Sequence, residues 1–282
     1  MSQAQLMDGT GLAGRIVEET AKRAADLTER MGAAPCLATV LVGEDPASVT
    51  YVRMKQNRSR KAGIESRHVA LPAGIPTAEL VGTLTALSAD PTVHGILLQH
   101  PMGHHIDERA AFEAIAPEKD VDGVTLASFS AMSFGLPGFA SCTPGGIMRL
   151  LDEYDVDPAG KRAVVVGRSA ILGKPVGMLL LGRDATVTYC HSRTADLSAV
   201  VREADIVVAA VGRPRLIRGE DIKPGAVVVD AGYNPGNVGD VDFDGARERA
   251  SLITPVPGGV GPMTIATLLA QTVEAATRQT GA

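Results

Sequence analysis

Tryptophan is absent from this sequence, and its aromatic residues are only four tyrosines and five phenylalanines. There is no basic surplus either: Lys+Arg 27 against Asp+Glu 32 leaves a formal charge of −5. A chain with neither a basic stripe nor a stacking platform is a poor nucleic-acid binder. No apolar run approaches the ~18 residues that a membrane span needs. Residues 1–13 lack the basic-then-apolar order of a secretory signal. Cys36, Cys142 and Cys190 are the three cysteines. Without a CxxC spacing they read as free thiols in a reducing compartment. What is present is 45% hydrophobic and 21% charged over 282 residues. That is enough apolar material for a sizeable core, and it excludes intrinsic disorder. The length suits about two domains. The expectation is a cytoplasmic α/β enzyme with no nucleic-acid and no membrane partner.

Short β-branched runs alternate with longer amphipathic stretches, the pattern of parallel βαβ crossovers. In the first half, helical spacing over 11–31 precedes strands at 36–42, 67–71 and 95–99. Helices are expected from about 48, over 77–88 and over 107–115. Residues 128–141 show no period and read as a connector. Thr143-Pro144 then opens a helix to Tyr154, with Thr143 as N-cap and Pro144 at the first helical position. A second series places strands at 163–166, 186–189, 206–210 and 227–230. A glycine-rich loop over 254–261 leads into a last amphipathic helix from Pro262 to about Thr277. Two α/β units are expected.

In the second unit, VVVGRSAILGKPVG (164–177) runs from a strand into a helix through Gly167, Gly173 and Gly177. This is not GxGxxG, yet the logic is similar. Glycines let the backbone approach a pyrophosphate, and the helix N-terminus offers amides to the anion. Taken alone, the segment fits equally a βα turn that binds nothing. The strand about twenty residues on would end in a carboxylate if it held the ribose hydroxyls of NAD. It ends instead in Cys190-His191-Ser192-Arg193-Thr194. Hydroxyls and Arg193 suit a 2′-phosphate, and Arg168 adds positive charge, so the site reads as NADP. Val211-Gly212-Arg213-Pro214 and Asp230-Ala231-Gly232-Tyr233-Asn234 end the next two strands at the same edge; singly, each is ordinary turn chemistry. Cys190 reads as a small core residue, since no base accompanies it. His191 fits a capped surface position as well as a place beside a cofactor.

In the first unit, Ser48, Tyr51 and Lys55 lie at i, i+3 and i+7 of one helix face. A hydroxyl, a phenol and an ammonium are thereby aligned, although a solvated face gives the same spacing. Gln99 ends its strand just before His100-Pro101. Asp120 and Asp122 sit in the turn-like P-E-K-D-V-D-G (117–123), which lacks the further carboxylates of a calcium loop. His104 and His105 have no zinc spacing with the cysteines. No metal is expected.

Several blocks now stand in order almost end to end: Ser48 with YVRMK, GILLQHP, PEKDVDG, SCTPGG, VVVGRS with GKPVG, TVTYCHSRT and ITPVPGGVGPMT. Together they resemble the bifunctional methylenetetrahydrofolate dehydrogenase/methenyltetrahydrofolate cyclohydrolase family of one-carbon metabolism. The resemblance implies a folate-binding catalytic domain over 1–141 plus 266–282 and a Rossmann-like NADP domain over 142–265, around a cleft. It also implies a homodimer that acts on tetrahydrofolate one-carbon derivatives and feeds purine biosynthesis. Lys55 matches the catalytic lysine, Gln99 its partner, Tyr51 the tyrosine along the folate, and Asp122 the aspartate on the pterin. Ser48 and Pro101 fall in the same substrate-side blocks. Gly167, Arg168, Ser169 and Ser192 match cofactor positions, as does Tyr233 through its backbone. Gly258 and Gly259 match the segment beside the nicotinamide.

Three positions depart from the family pattern: Asn57 where a second basic residue is common, Gly103 where a proline is usual, and Tyr233 within D-A-G-Y-N. Gly103 leads to the expectation of a looser loop. The competing readings are a monofunctional dehydrogenase, a shikimate- or amino-acid-dehydrogenase-like enzyme of the same layout, and a non-catalytic NADP-sensing module. The last would be expected to lose Lys55 or Asp122, and both are present.

Overall fold

Buried runs of β-branched and aliphatic residues seed two separate parallel sheets. The computed structural model describes residues 3–43 and 46–281, without the side chains of residues 46–52. In chain order it begins with β1 (Gln5–Leu6), α1 (Gly9–Met31), β2 (Cys36–Val42), α2 (Pro46–Lys61) and β3 (Glu65–Leu71). Next come α3 (Thr77–Ala89), β4 (Gly95–Gln99), α4 (Glu108–Glu113), α5 (Leu126–Ser133) and α6 (Cys142–Glu153). The series continues with β5 (Arg162–Val166), α7 (Gly173–Leu181), β6 (Thr186–Cys190), α8 (Leu197–Arg202) and β7 (Ile206–Ala209). It closes with β8 (Val227–Asp230), α9 (Phe243–Arg247), β9 (Leu252–Ile253) and α10 (Val260–Thr280). The chain divides into two units, one of residues 15–131, 137–140 and from 266 on, the other of residues up to 14, 132–136 and 141–265.

The first of these units is built on a three-stranded parallel sheet in the order β3-β2-β4. Its middle strand, CLATVLV, is buried at every residue, as a parallel strand covered on both faces must be. Leu80, Leu84 and Leu87 make the buried stripe of α3, at helical spacing. They join a core with Leu37, Ile96, Leu97, Leu98 and Phe112.

The stretch expected to be a connector holds α5. Fully buried Asp120 accepts the backbone N–H groups of Val124 at 3.1 Å and Thr125 at 2.9 Å. The Thr125 hydroxyl in turn accepts the Ser128 N–H at 3.1 Å, capping the helix from outside the aperiodic stretch. The three cysteines are free and buried. Burial, with the Glu65 charge behind it, pushes the Cys36 thiol up to about 11.

The other unit carries a six-stranded parallel sheet in the order β1-β9-β8-β7-β5-β6. From β5 the chain crosses to β6 on one side, then returns to place β7 on the other. The order therefore reverses between β5 and β7, and the carboxyl ends of those strands form a topological switch point. β1 and β9 were not expected, because two residues are too few to show a period. Their pairing, Gln5 with Leu252 and Leu6 with Ile253, ties the start of the described chain to this sheet. The short α9 was likewise not expected.

α6 starts at Cys142 with Ser141 as its N-cap, so Thr143 is already helical. Its hydroxyl meets that of Thr264 at 2.9 Å instead of capping. Pro144 is tolerated because first-turn N–H groups have no intrahelical acceptor. α10 begins at Val260, two residues before Pro262, for the same reason. Among the described residues, no helix is long and apolar enough to cross a membrane.

Gly95 shows how tightly the smaller sheet is packed. A Cβ there would stand 2.8 and 2.9 Å from the two methyl groups of Val121. Gly95→Ala is expected to cost about 1–3 kcal/mol through overpacking, read as a lowered midpoint in denaturant unfolding; an unchanged midpoint would contradict this packing.

Candidate functional site

Lys55 is only 6% exposed. Its Nζ donates to Gln99 Oε1 at 3.1 Å, joining α2 to the end of β4. The other half of that amide is fixed too, since Gln99 Nε2 donates to the His100 carbonyl at 2.8 Å. Gln99 is thus oriented with its oxygen toward the lysine, and a buried ammonium requires such an acceptor. A solvated face does not describe Lys55. Asp122 is half-buried, in contrast to its neighbour Asp120, whose carboxylate is consumed by backbone N–H groups. Pro101 is exposed. Asn57 is exposed and accepts from Arg60 at 3.4 Å. Gly103 has φ +101°, a left-handed conformation that favours glycine. The side chains of Ser48 and Tyr51 lie outside the described residues.

At the end of β5 the glycines have steric reasons. Gly167 has φ +134°, and a Cβ on it would run into the Ala210 carbonyl oxygen. A Cβ on Gly173 would come within 2.5 Å of the Gly167 carbonyl oxygen. One on Gly177 would overlap the Tyr189 phenol, whose hydroxyl donates to the Lys174 carbonyl at 2.8 Å. Backbone passes close to backbone where strand, loop and helix meet.

The expected donation of α7 amides to an anion is corrected here. The Gly173 N–H goes to Ser169 Oγ at 3.1 Å and the Lys174 N–H to the Ser169 carbonyl at 3.0 Å. Residue 175 is proline, and the Val176 N–H bonds the Leu172 carbonyl at 2.9 Å. Ser169 therefore closes the helix terminus. The backbone N–H groups of Arg168, Ser169 and Ala170 make no hydrogen bond among the described residues, and all three residues are exposed. The open donors lie in the loop, one step before the helix.

After β6, the His191 N–H donates to Thr194 Oγ1 at 2.8 Å and His191 Nδ1 accepts the Arg193 N–H at 3.2 Å. His191 and Thr194 fold the turn, and Ser192 and Arg193 are left exposed. Cys190 is fully buried, and burial raises its thiol. Tyr233 is 76% exposed. Gly258 has φ +107°, and its carbonyl accepts the Thr10 N–H at 2.9 Å. A Cβ on Gly259 would come 2.6 Å from Thr254 Cβ.

Sequence reasoning missed Asp240. This buried residue reaches both the loop after β7 and the D-A-G-Y-N turn after β8. Its neighbour Asp230 accepts N–H groups from Gly232 at 2.9 Å, Asp240 at 3.0 Å and Val241 at 2.9 Å. Burial pushes the Asp230 carboxyl up to about 6 against those three donors, and the Asp240 charge adds to the rise. The available signal was G-D-V after a turn, a pattern too short to single out.

Residues 7–122 match the model described as tetrahydrofolate dehydrogenase/cyclohydrolase, catalytic domain, and residues 141–280 match the corresponding NAD(P)-binding domain. The chain belongs to the tetrahydrofolate dehydrogenase/cyclohydrolase family. A family member from Streptomyces avermitilis, bifunctional protein FolD 1, is 80% identical over 99% of this chain and 97% of its own length. The solved FolD methylenetetrahydrofolate dehydrogenase/cyclohydrolase from Campylobacter jejuni superposes with TM-score 0.95 at 43% identity, covering 98% of this chain and 99% of that one. The Trypanosoma brucei enzyme, solved with NADP cofactor and an inhibitor, gives TM-score 0.96 at 40% identity over 100% of both chains.

Within this family fold, the loop at Gly167 is the candidate cofactor cradle, and a side chain there would be forced against the Ala210 backbone and displace the loop. Gly167→Ala is expected to cost about 1–3 kcal/mol of backbone strain and to abolish the rise in melting temperature that a bound dinucleotide produces. Thermal unfolding with and without NADP checks both; a variant still stabilised by NADP as the parent is would contradict the cradle.

Proposed function

We propose that this family member oxidises 5,10-methylenetetrahydrofolate with NADP and hydrolyses the resulting 5,10-methenyltetrahydrofolate to 10-formyltetrahydrofolate. The carrying observation is the buried Lys55–Gln99 pair, an amine fixed by an oriented amide, in a chain that also holds a glycine cradle with open amides. We assign the folate to the unit of Lys55, Gln99 and Asp122, with Tyr51, Ser48 and Pro101 in its substrate-binding set. The dinucleotide goes to the six-stranded unit.

The cradle fits NADP. Loop amides at 168–170 suit the pyrophosphate, and Gly167 lets their loop lie close against the Ala210 carbonyl. Ser192 and Arg193, exposed on the turn after β6, suit the 2′-phosphate, with Arg168 adding charge at the neighbouring strand end. Tyr233 contributes through its backbone, and Gly258 and Gly259 line the nicotinamide side. Bound NADP supplies the hydride acceptor.

In the oxidation, the lone pairs of the folate nitrogens drive hydride loss from the bridging carbon. The protein supplies orientation and no nucleophile. In the hydrolysis, water adds to the cationic methenyl carbon and loses a proton. Repulsion by that bound cation favours the neutral amine of Lys55, which then accepts the proton. Gln99 holds Nζ in place through Oε1. The remaining hydroxyl proton passes to N5 as the bond from carbon to N5 breaks, which leaves the formyl group on N10. Asp122 anchors the pterin, whose N–H groups pair with a carboxylate.

The compartment proposed is the cytoplasm, which the three buried free thiols suit. The assembly proposed is a homodimer. β6 is an edge strand, uncharged and largely exposed, which suits self-association. The product 10-formyltetrahydrofolate is the one-carbon donor consumed in purine biosynthesis.

Lys55→Met is expected to lower methenyl hydrolysis by about 10²–10⁴-fold, followed as decay of methenyl absorbance; a variant hydrolysing at the parent rate would refute the proton-transfer role. Ser192→Asp places a carboxylate where the 2′-phosphate is assigned. The KM for NADP should rise about tenfold or more while that for NAD changes far less, measured as reduction of each cofactor in parallel. An equal effect on both would move the 2′-phosphate elsewhere.

A further inference from the structure

The loop after β7 presents three consecutive backbone N–H groups to one side chain. Val211 and Gly212 donate to Asp240 Oδ2 at 2.6 and 2.9 Å, and Arg213 donates to Oδ1 at 2.8 Å. Asn234 Nδ2 supplies a fourth donor to Oδ1 at 3.0 Å. Gly212 takes φ +64°, which turns successive amides to one side. Such a run is an anion nest, and here the protein fills it with its own carboxylate.

Asp240 is itself held. Its N–H donates to Asp230 Oδ1 at 3.0 Å and its carbonyl accepts the Ile217 N–H at 3.0 Å. Two glycines make room for the arrangement. A Cβ on Gly232 would overlap the Asp240 carboxyl, and one on Gly239 would overlap Asp230 Oδ2. The nest also abuts the cradle: the Ala210 N–H donates to the Val166 carbonyl at 2.8 Å, and Gly167 presses on the Ala210 carbonyl. Loop 211–213 is therefore the wall of the switch point beside the open amides of 168–170.

We propose that Asp240 is a positioning residue for cofactor binding, filling the nest after β7 so that loop 211–213 keeps its shape and the cofactor phosphates are directed to the neighbouring open amides. This rests on the NADP assignment made above. Left empty, the nest would compete for the same phosphates, and its three amides would need other partners. An asparagine at 240 keeps the size but turns an N–H₂ group toward amide donors, so either those donors or the loop must shift.

The test uses the full chain and Asp240→Asn. Hydrogen exchange of the peptide spanning 211–213 should be faster by about tenfold or more, and the Kd for NADP by titration calorimetry weaker by a similar factor. In kinetics the loss should fall on the KM for NADP more than on kcat at saturating NADP. Parent-like exchange together with a parent-like Kd would overturn the proposal. So would looser exchange with unchanged Kd and KM, because Asp240 would then serve stability alone. Should Asp240→Asn fail to fold, Asn234→Ala removes one of the four donors and leaves the carboxylate. A smaller loosening of the same peptide with a matching rise in Kd supports the proposal, and no change in either refutes it. Failure of the parent protein to bind NADP would strike the NADP assignment, a result separate from the exchange comparison.

Discussion

Parallel pairing is the constraint on which the chemistry of this chain depends. In a parallel sheet every strand delivers its carboxyl end to the same edge, whatever the sequence distance between strands. Register Leu41 with Gln99 in the smaller sheet brings the end of β4 level with the end of β2. From that edge Gln99 meets Lys55, which lies 44 residues earlier. In the larger sheet, Val166 pairs with Ala209 and Ala209 with Asp230. The glycine cradle, the V-G-R-P loop and the D-A-G-Y-N turn consequently leave from one edge. The same pairing explains why β2, β5, β7 and β8 are nearly pure aliphatic runs, since helices cover both faces.

Such an edge collects polar groups that must still be satisfied out of water. The solution here is repeated: a buried carboxylate takes up backbone N–H groups of the loop that follows a strand or turn. Asp120 does this for 124–125, Asp230 for 232 and 240–241, and Asp240 for 211–213. Removing any of these carboxylates would strand several donors, which costs more than the bonds contribute when made. The loops are accordingly fixed before any ligand arrives. Asp230 shows the strain of that solution, with its carboxyl raised from 3.8 to about 6 by burial. Because the folded pKa lies above the unfolded one, the folded state binds this proton more tightly between those values. The contribution of Asp230 to stability is therefore greatest at low pH and declines as pH rises through that window. At neutral pH the ionised group depends on its three N–H donors.

The sequence made the alternation of strands and helices legible, because aliphatic runs of four to seven residues at parallel spacing leave few alternatives. It also exposed the Lys55, Gln99 and glycine positions, because those residue types are chemically distinctive at strand and helix ends. Elements fixed by tertiary contacts were not legible. α5 depends on Asp120 and Thr125 lying outside its own aperiodic stretch, and β1 and β9 exist only through each other. The start of α6 was misplaced because Thr143-Pro144 mimics a cap, while its hydroxyl is engaged by Thr264. Asp240 escaped notice for a related reason. Its significance comes from which amides surround it, and those come from a loop 27 to 29 residues earlier.

The treatment of backbone amides around the switch point has a consequence for selectivity. Ser169 takes the first two N–H groups of α7 and Pro175 removes another, so little of the helix terminus is left to attract an anion. Asp240 takes those of 211–213. Among the described residues, open donors include those of 168–170, flanked by the exposed Arg168 side chain and the exposed Ser192-Arg193 turn. On the proposed assignment, an anion at this edge meets loop amides and side-chain cations. Amides serve any phosphate alike, since the pyrophosphate is common to NAD and NADP. Discrimination must come from the side chains, and the one group that distinguishes the two cofactors is the 2′-phosphate. On that assignment, a turn that ends in a hydroxyl and an arginine in place of a carboxylate does more for selectivity than the glycine cradle, although the cradle is the more conspicuous feature of the sequence.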